Sequence, residues 1–184
     1  MITKLELDSL VEKYETVDFI KDDPIQFIHM GKSKEESELL GFIASLFAYG
    51  NRKMFIKKLD EIFAKAENDI VGYVKNGDFS SLKGIEYRFS KENDIIPVFE
   101  ILSELYCKDG GLEELFRYSY SNNVNDIDKK AHIALKTAVD YFYARAPKSV
   151  GQGFYHMIPN PDNGGAMKRM NMFLRWVVRK PPVD

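Results

Sequence analysis

The chain has 184 residues, of which 45% are hydrophobic, and a formal net charge of −2. This composition supplies enough apolar side chains for a packed interior and excludes a generally disordered chain. No apolar run approaches the roughly 20 residues of a membrane-spanning helix, and acidic residues interrupt the start, MITKLELDSL, where a signal peptide has an apolar core. Because Cys107 is the only cysteine, no internal disulfide can form, and we expect a reducing, cytoplasmic location with no membrane partner.

Apolar residues recur at helical spacing, and alternating strand patterns are absent, so the sequence predicts an all-α protein. Residues 39–49 are apolar on nearly all sides, which predicts a buried central helix ended by Gly50. Ser33, followed by Glu36, resembles a capping box ahead of this helix. The other helical patterns before Pro147 fall at 5–19, 24–28, 51–65, 68–75, 94–107, 111–120 and 126–145.

The character of the sequence changes after Pro147. The run KSVGQGFYHMIPNPDNGG is rich in Gly, Pro and Asn, and AMKRMNMFLRWVVRK then resumes a helical pattern. We therefore expect one compact helical domain over residues 1–184, with a helical bundle in 1–146 and a glycine-containing loop plus a basic helix in 147–184. The last helix runs into a proline pair that usually leads to another element, so we expect the chain to continue beyond Asp184.

Charge is unevenly distributed along the chain. Residues 141–184 contain seven basic and two acidic side chains, whereas the remaining 140 residues contain 19 basic and 26 acidic ones. A local positive potential attracts a polyanion even when the whole protein is nearly neutral. The alternative is an ordinary fluctuation of charge in a short window.

The basic helix has a cationic stripe that starts beside a glycine pair. Gly164 and Gly165 allow backbone N–H groups to approach an anion at a helix N-terminus, although a simple turn is the commoner meaning of two glycines. Lys168, Arg175 and Arg179 recur at i, i+7 and i+11, so they share one face and can follow a phosphate backbone. The alternative for this stripe is an ordinary solvated face.

A second face of the same helix is apolar. We expect this apolar face to be buried. Trp176 lies near the basic stripe, and it either stacks on a base or packs between helices. The expected buried residues are Met167, Met170, Leu174, Val177 and Val178.

The sequence predicts no metal site and no cofactor. His29, His132 and His156 are far apart and show no paired metal-ligand spacing. The glycine pair has neither the Walker pattern nor the glycine spacing of a dinucleotide-binding loop.

Three stretches closely resemble an uncharacterised bacterial family known as domain of unknown function 2400. They are FYHMIPNPDNGGAMKRMNMFLRWVVRK, DPIQFIH and ELLGFIASLFAYGNRK. That family in turn is distantly similar to the helix-hairpin-helix DNA glycosylases. The resemblance implies a glycosylase-like architecture, in which a buried early helix leads into a DNA-facing loop and a glycine hairpin precedes a helix with a catalytic lysine.

The resemblance also implies roles for particular residues. Residues 164–168 resemble the hairpin and its lysine, which makes Lys168 the catalytic candidate, and residues 48–52 occupy the place of the DNA-facing loop. The implied DNA contacts are Asn51, Arg52, Gly164, Gly165, Arg169, Arg175 and Arg179. Two features depart from the glycosylase pattern: the glycines are adjacent, and the Asp-Thr-His motif that supplies the catalytic aspartate is absent from residues 1–184.

The leading hypothesis from sequence is a protein that binds duplex DNA and excises bases, with the Lys168 amine as nucleophile. One alternative is a nucleic-acid-binding module without catalysis. The other is a helical interaction protein whose basic stripe binds an acidic protein. The sequence leaves the oligomeric state open.

Overall fold

The computed structural model describes residues 2–14, 16–121 and 127–178. Within these ranges the chain is all-α, as predicted, and its one strand-like feature is an isolated bridge between Tyr87 and Ser90. The helices are α1 (Lys4–Tyr14), α2 (Val17–Ile20), α3 (Gln26–Met30), α4 (Lys34–Phe47), α5 (Arg52–Ala64), α6 (Ile70–Asn76), α7 (Glu92–Lys108), α8 (Leu112–Ser121), α9 (Ile127–Arg145), α10 (Gln152–Met157) and α11 (Lys168–Val178).

Helix α4 lies at the centre of the molecule. All nine residues from Leu39 to Phe47 are buried, which confirms the predicted buried central helix. The Phe42 ring packs 5.7 Å from that of Phe142 in α9 and 5.3 Å from that of Phe173 in α11, measured between ring centroids. Through these contacts α4 fixes the basic C-terminal helix against the helical bundle.

Polar caps set the starts of several helices. Ser33 accepts a hydrogen bond from the Glu36 backbone N–H at 3.1 Å, and Asn51 accepts one from the Met54 N–H at 3.3 Å. Each cap satisfies a backbone donor that the first turn of a helix leaves unpaired. Asn51 therefore begins α5 directly after the loop that follows α4.

The buried face of α11 differs in part from the prediction. Met170, Phe173 and Trp176 are buried, whereas Val177 is 41% exposed and Val178 is 74% exposed, so the expectation for the two valines was wrong. Large aromatic side chains remove more apolar surface from water than valines do. Phe173 and Trp176 therefore take the inward positions and leave the valines outside. Trp176 packs between helices and is not available to stack on a base.

Helix α1 contrasts with the rest of the molecule. None of its residues is buried. The exposed apolar side chains include Leu7, Leu10, Val11 and Tyr14. The helical spacing predicted over 5–19 is present, but this apolar face does not enter the core. The contiguous core of buried residues begins at Ile25 and draws on both sides of Pro147.

Candidate functional site

The loop after α4 and the start of α11 meet in space. The Arg169 guanidinium carbon lies 5.1 Å from the centre of the Tyr49 ring. Its Nη1 lies 3.0 Å from Nε2 of His156, and its Nη2 donates to the His156 carbonyl oxygen. Arg169 directly follows residues 164–168, one of the two segments that the family resemblance singled out, and it contacts Tyr49 of the other, residues 48–52.

A short turn at residues 87–90 joins this meeting point. Tyr87 and Ser90 exchange backbone hydrogen bonds of 2.8 and 3.0 Å. Between them Arg88 has φ +56°, a left-handed conformation that is uncommon for residues other than glycine and costs free energy. Both Arg88 and Phe89 are exposed. The turn therefore presents a cation and an aromatic ring side by side.

Gly50 allows the turn to approach the loop after α4. Its φ is +82°, and a Cβ at this position would lie 2.4 Å from Nη1 of Arg88 and 3.1 Å from the Tyr87 hydroxyl. A residue with a side chain would be strained by the backbone conformation and would also displace Arg88. The sequence predicted Gly50 only as a helix stop, but α4 already ends at Phe47.

Three rings form an aromatic cluster, consisting of Tyr49, Phe89 and His156. The ring centroids are 5.7 Å apart for Tyr49 and Phe89, 4.7 Å for Tyr49 and His156, and 4.5 Å for Phe89 and His156. These separations are those of stabilising aromatic pairs. The cluster thus gathers one ring from each of three segments that are distant in sequence.

Hydrogen bonds hold these segments together beneath the aromatic cluster. The Tyr49 hydroxyl lies 3.0 Å from Oγ of Ser90, and the Tyr87 hydroxyl donates to the Tyr49 carbonyl oxygen at 2.6 Å. Ser90, which is fully buried, also donates to the Gly153 carbonyl oxygen at 3.4 Å. Buried polar groups that are all paired restrict a site to one arrangement.

Asp94 anchors the start of α10 to the same place. Its buried carboxylate accepts from the Lys91 N–H at 3.1 Å and from the Gly151 N–H at 2.6 Å. A Cβ at Gly153 would lie 2.4 Å from Oδ2 of Asp94, so only glycine fits there. This close approach fixes α10, and α10 presents His156.

The electrostatics of the site favour a neutral imidazole next to a cation. Burial lowers the pKa of His156, and the positive charges of Arg169 and Arg88 lower it further. Burial raises the pKa of Tyr49, so its hydroxyl stays protonated. Because a guanidinium can only donate hydrogen bonds, Nε2 of His156 is the acceptor for Arg169 and the ring proton lies on Nδ1.

The predicted DNA-contact residues of the loop after α4 have structural partners of their own. The Asn51 side chain caps α5. Arg52 is exposed, and its guanidinium carbon lies 5.6 Å from the Phe19 ring centre. Arg52 thus borders the loop without contributing to the hydrogen-bonded frame.

The glycine pair precedes α11, and Lys168 and Arg175 of the cationic stripe lie within this helix. Gly164 has φ +74° and open space where a Cβ would be, and the nearest atom to a Cβ at Gly165 is 3.8 Å away. Lys168 is exposed and is the first residue of α11. Arg175 is exposed one turn before the end of α11, and Arg179 lies outside the described residues.

Sequence reasoning missed the turn at 87–90 and the role of His156. Ser90 is the only residue from Tyr87 to Ser90 of a type that favours turns, and the two central residues, Arg88 and Phe89, give no turn signal. His156 was considered only as a metal ligand. Its place within a conspicuous run of Gly, Pro and Asn is the one local signal that could have indicated it.

Comparison with known proteins gives one result. A family model described as "Protein of unknown function (DUF2400)" matches residues 23–184. The chain belongs to this family. The match includes the loop after α4, the turn at 87–90, His156 and α11, and it leaves out α1 and α2. No curated protein and no solved structure matches the chain.

The resemblance to this family is therefore confirmed, whereas the glycosylase-like architecture and the continuation beyond Asp184 stay predictions. In the described part of the chain, no helix is both long and apolar enough to cross a membrane. Nor do three or more His, Cys, Asp or Glu side chains of those residues come together in a group that could hold a metal ion.

Proposed function

We propose that the protein binds duplex DNA through the surface formed by the loop after α4, the turn at 87–90 and the start of α11. The observation that carries this proposal is the contact of Arg169 with Tyr49 and His156, which brings separate segments onto one surface. Each segment contributes an exposed cation to that surface: Arg52, Arg88 and Lys168.

The chemistry of this surface suits a phosphate backbone. Positive side chains on neighbouring segments neutralise successive phosphates and release counterions. Gly164 and Gly165 leave room for a phosphate to approach the backbone before α11. Arg169 has five donors, of which the contacts with His156 use two, so it can hold the segments together and still donate to DNA. Arg175 extends the proposed surface along α11, and Arg179 is included from the sequence pattern.

We further propose base excision as the activity, with Lys168 as nucleophile. The neutral amine attacks the sugar carbon that bears the base, and the glycosidic C–N bond breaks. The base leaves with the bonding electron pair and takes up a proton, and a Schiff base then links Lys168 to the opened sugar. The base must leave the stack for this attack. Such a function places the protein in the cytoplasm with the bacterial DNA.

A nucleic-acid-binding module without catalysis is the second candidate. The adjacency of Gly164 and Gly165, which departs from the glycosylase hairpin, favours it. It shares the same DNA-binding surface and differs only at Lys168.

A salt series tests the binding proposal. We expect affinity for a labelled duplex, measured by fluorescence anisotropy, to fall steeply as salt rises. Replacing both Arg52 and Arg88 with Ala should weaken binding about tenfold near 0.1 M salt and reduce the slope of log K against log salt by about 2, since each lost phosphate contact contributes about 0.9. The loss should be similar for unrelated sequences.

The matched control removes two exposed cations from a different surface. Lys4 and Lys13 belong to α1, outside the family match, so the Lys4→Ala, Lys13→Ala protein should bind like the wild type. If the two double variants lost affinity for DNA equally, overall charge alone would explain the effect, and the proposed surface would be contradicted.

A further inference from the structure

Phe89 is an aromatic side chain displayed outward at the candidate site. It is 48% exposed, although aromatic rings gain much by burial. One side of the ring is supported, because Tyr49 stacks on it with an interplanar angle of 29° and His156 meets it at 83°. Part of the Phe89 ring surface is therefore open to another planar group.

The support for Phe89 is rigid before any ligand arrives. Its neighbours Tyr87 and Ser90 are buried and hydrogen-bonded to each other, and Ser90 is bound in turn to Tyr49 and Gly153. The strained conformation of Arg88 persists only because this frame holds it. A pre-organised ring loses little conformational entropy when a ligand stacks on it.

Two arginines lie next to residues that adjoin or support the Phe89 ring. Arg88 precedes Phe89 in the turn and extends over Gly50, and Arg169 lies over Tyr49. An aromatic face beside guanidinium groups is the combination by which proteins bind unpaired bases together with the adjoining phosphates. A ligand that is only apolar would not use the arginines, and a double-stranded backbone alone would not use the ring.

We propose that Phe89, supported by Tyr49 and His156, stacks on an unpaired base of a DNA strand while Arg88 contacts the neighbouring phosphate. This inference rests on the proposed DNA-binding function and specifies its substrate class, a duplex that contains an unpaired nucleotide. A base without a partner loses no pairing energy when it moves onto the ring. The site therefore selects bulged or mismatched positions over fully paired DNA.

The test compares two labelled duplexes that are identical except for one bulged nucleotide. We expect the wild type to bind the bulged duplex about tenfold more tightly than the paired one. Phe89→Ala and Phe89→Leu should remove this preference and leave affinity for the paired duplex within about twofold, whereas Phe89→Trp should keep it. A tenfold loss corresponds to about 1.4 kcal/mol, which lies within the range for one base stacked on an aromatic side chain.

The control variant is Tyr118→Ala, because Tyr118 is an exposed aromatic of α8 and lies 73% open to solvent. It should keep the full preference. Equal binding of both duplexes by the wild type, or an unchanged preference in Phe89→Ala, would overturn the stacking inference while the DNA-binding proposal stood. Binding of neither duplex would overturn both, and binding of an acidic peptide in their place would assign the surface to a protein partner.

Discussion

At the scale of single residues, Arg169 has a different role from the one its sequence position indicates. The family resemblance implied a DNA contact for Arg169, and the structure directs its guanidinium to His156 and Tyr49. It is a positioning residue for the site as well as a source of charge. Lys168, its neighbour, is exposed.

The catalytic and non-catalytic proposals predict different results when Lys168 is replaced. With the natural chain, including any residues after Asp184, borohydride should trap a covalent adduct with a duplex that contains a damaged base. Lys168→Gln should abolish trapping, because an amide forms no Schiff base, and should reduce binding less than about threefold. Arg175→Gln is the control and should still trap. If the wild type traps nothing across a panel of damaged bases, the module without catalysis is the better description.

His156 should make stability depend on pH. Its pKa is lower in the folded protein than its ordinary value of 6.5, chiefly through burial, so the unfolded chain takes up the proton first as pH falls. The free energy of unfolding should therefore decrease as pH falls below about 6.5 and keep decreasing until the folded pKa is passed.

Replacing His156 with Gln keeps an acceptor for Arg169 and removes the titration. Urea unfolding of both proteins at intervals from pH 8 to pH 5 measures the effect, and the difference between the two curves isolates this residue. The wild type should lose its advantage over His156→Gln as the solution becomes acidic. A constant difference across this range would show that His156 does not titrate differently in the folded and unfolded states.

At the scale of elements, the glycines of the run before α11 are not equivalent. A Cβ at Gly153 would lie 2.4 Å from Oδ2 of Asp94 and 2.7 Å from the Ser90 backbone. Gly153→Ala should therefore destabilise the protein by about 1–3 kcal/mol, the usual cost of overpacking, and should weaken DNA binding by displacing α10. Gly165→Ala is the matched control, because its nearest neighbour would be 3.8 Å away. Equal unfolding midpoints in urea for the two variants would contradict this account of α10.

Sequence periodicity predicted the elements better than their contacts. The apolar pattern of α4 identified the buried central helix, because a helix that is apolar all round has no solvent face. The pattern of α11 predicted an inward face that included Val177 and Val178, whereas the larger side chains of Phe173 and Trp176 are buried and the two valines are exposed. The turn at Tyr87–Ser90 could not be predicted, because long-range hydrogen bonds rather than local turn residues hold it.

At the scale of the whole molecule, the candidate site was half predictable. The family resemblance named the loop after α4 and the start of α11, and the structure places both at Arg169. It did not name Phe89 or Ser90, because their importance comes only from packing against Tyr49 and Gly153. The apolar pattern of α1 was visible in the sequence, but the pattern within one helix does not show whether that helix packs into the core.

The buried hydroxyl of Ser90 has a consequence for the order of folding. It lies against Tyr49, 41 residues earlier, and Gly153, 63 residues later. Closing such long loops costs chain entropy that later contacts must offset, and contacts of large sequence separation form slowly. Local helices such as α5 can form early, but the aromatic cluster exists only once both loops have closed. The site is thus among the last parts of the protein to form, and a nascent chain lacks it until Arg169 has been synthesised.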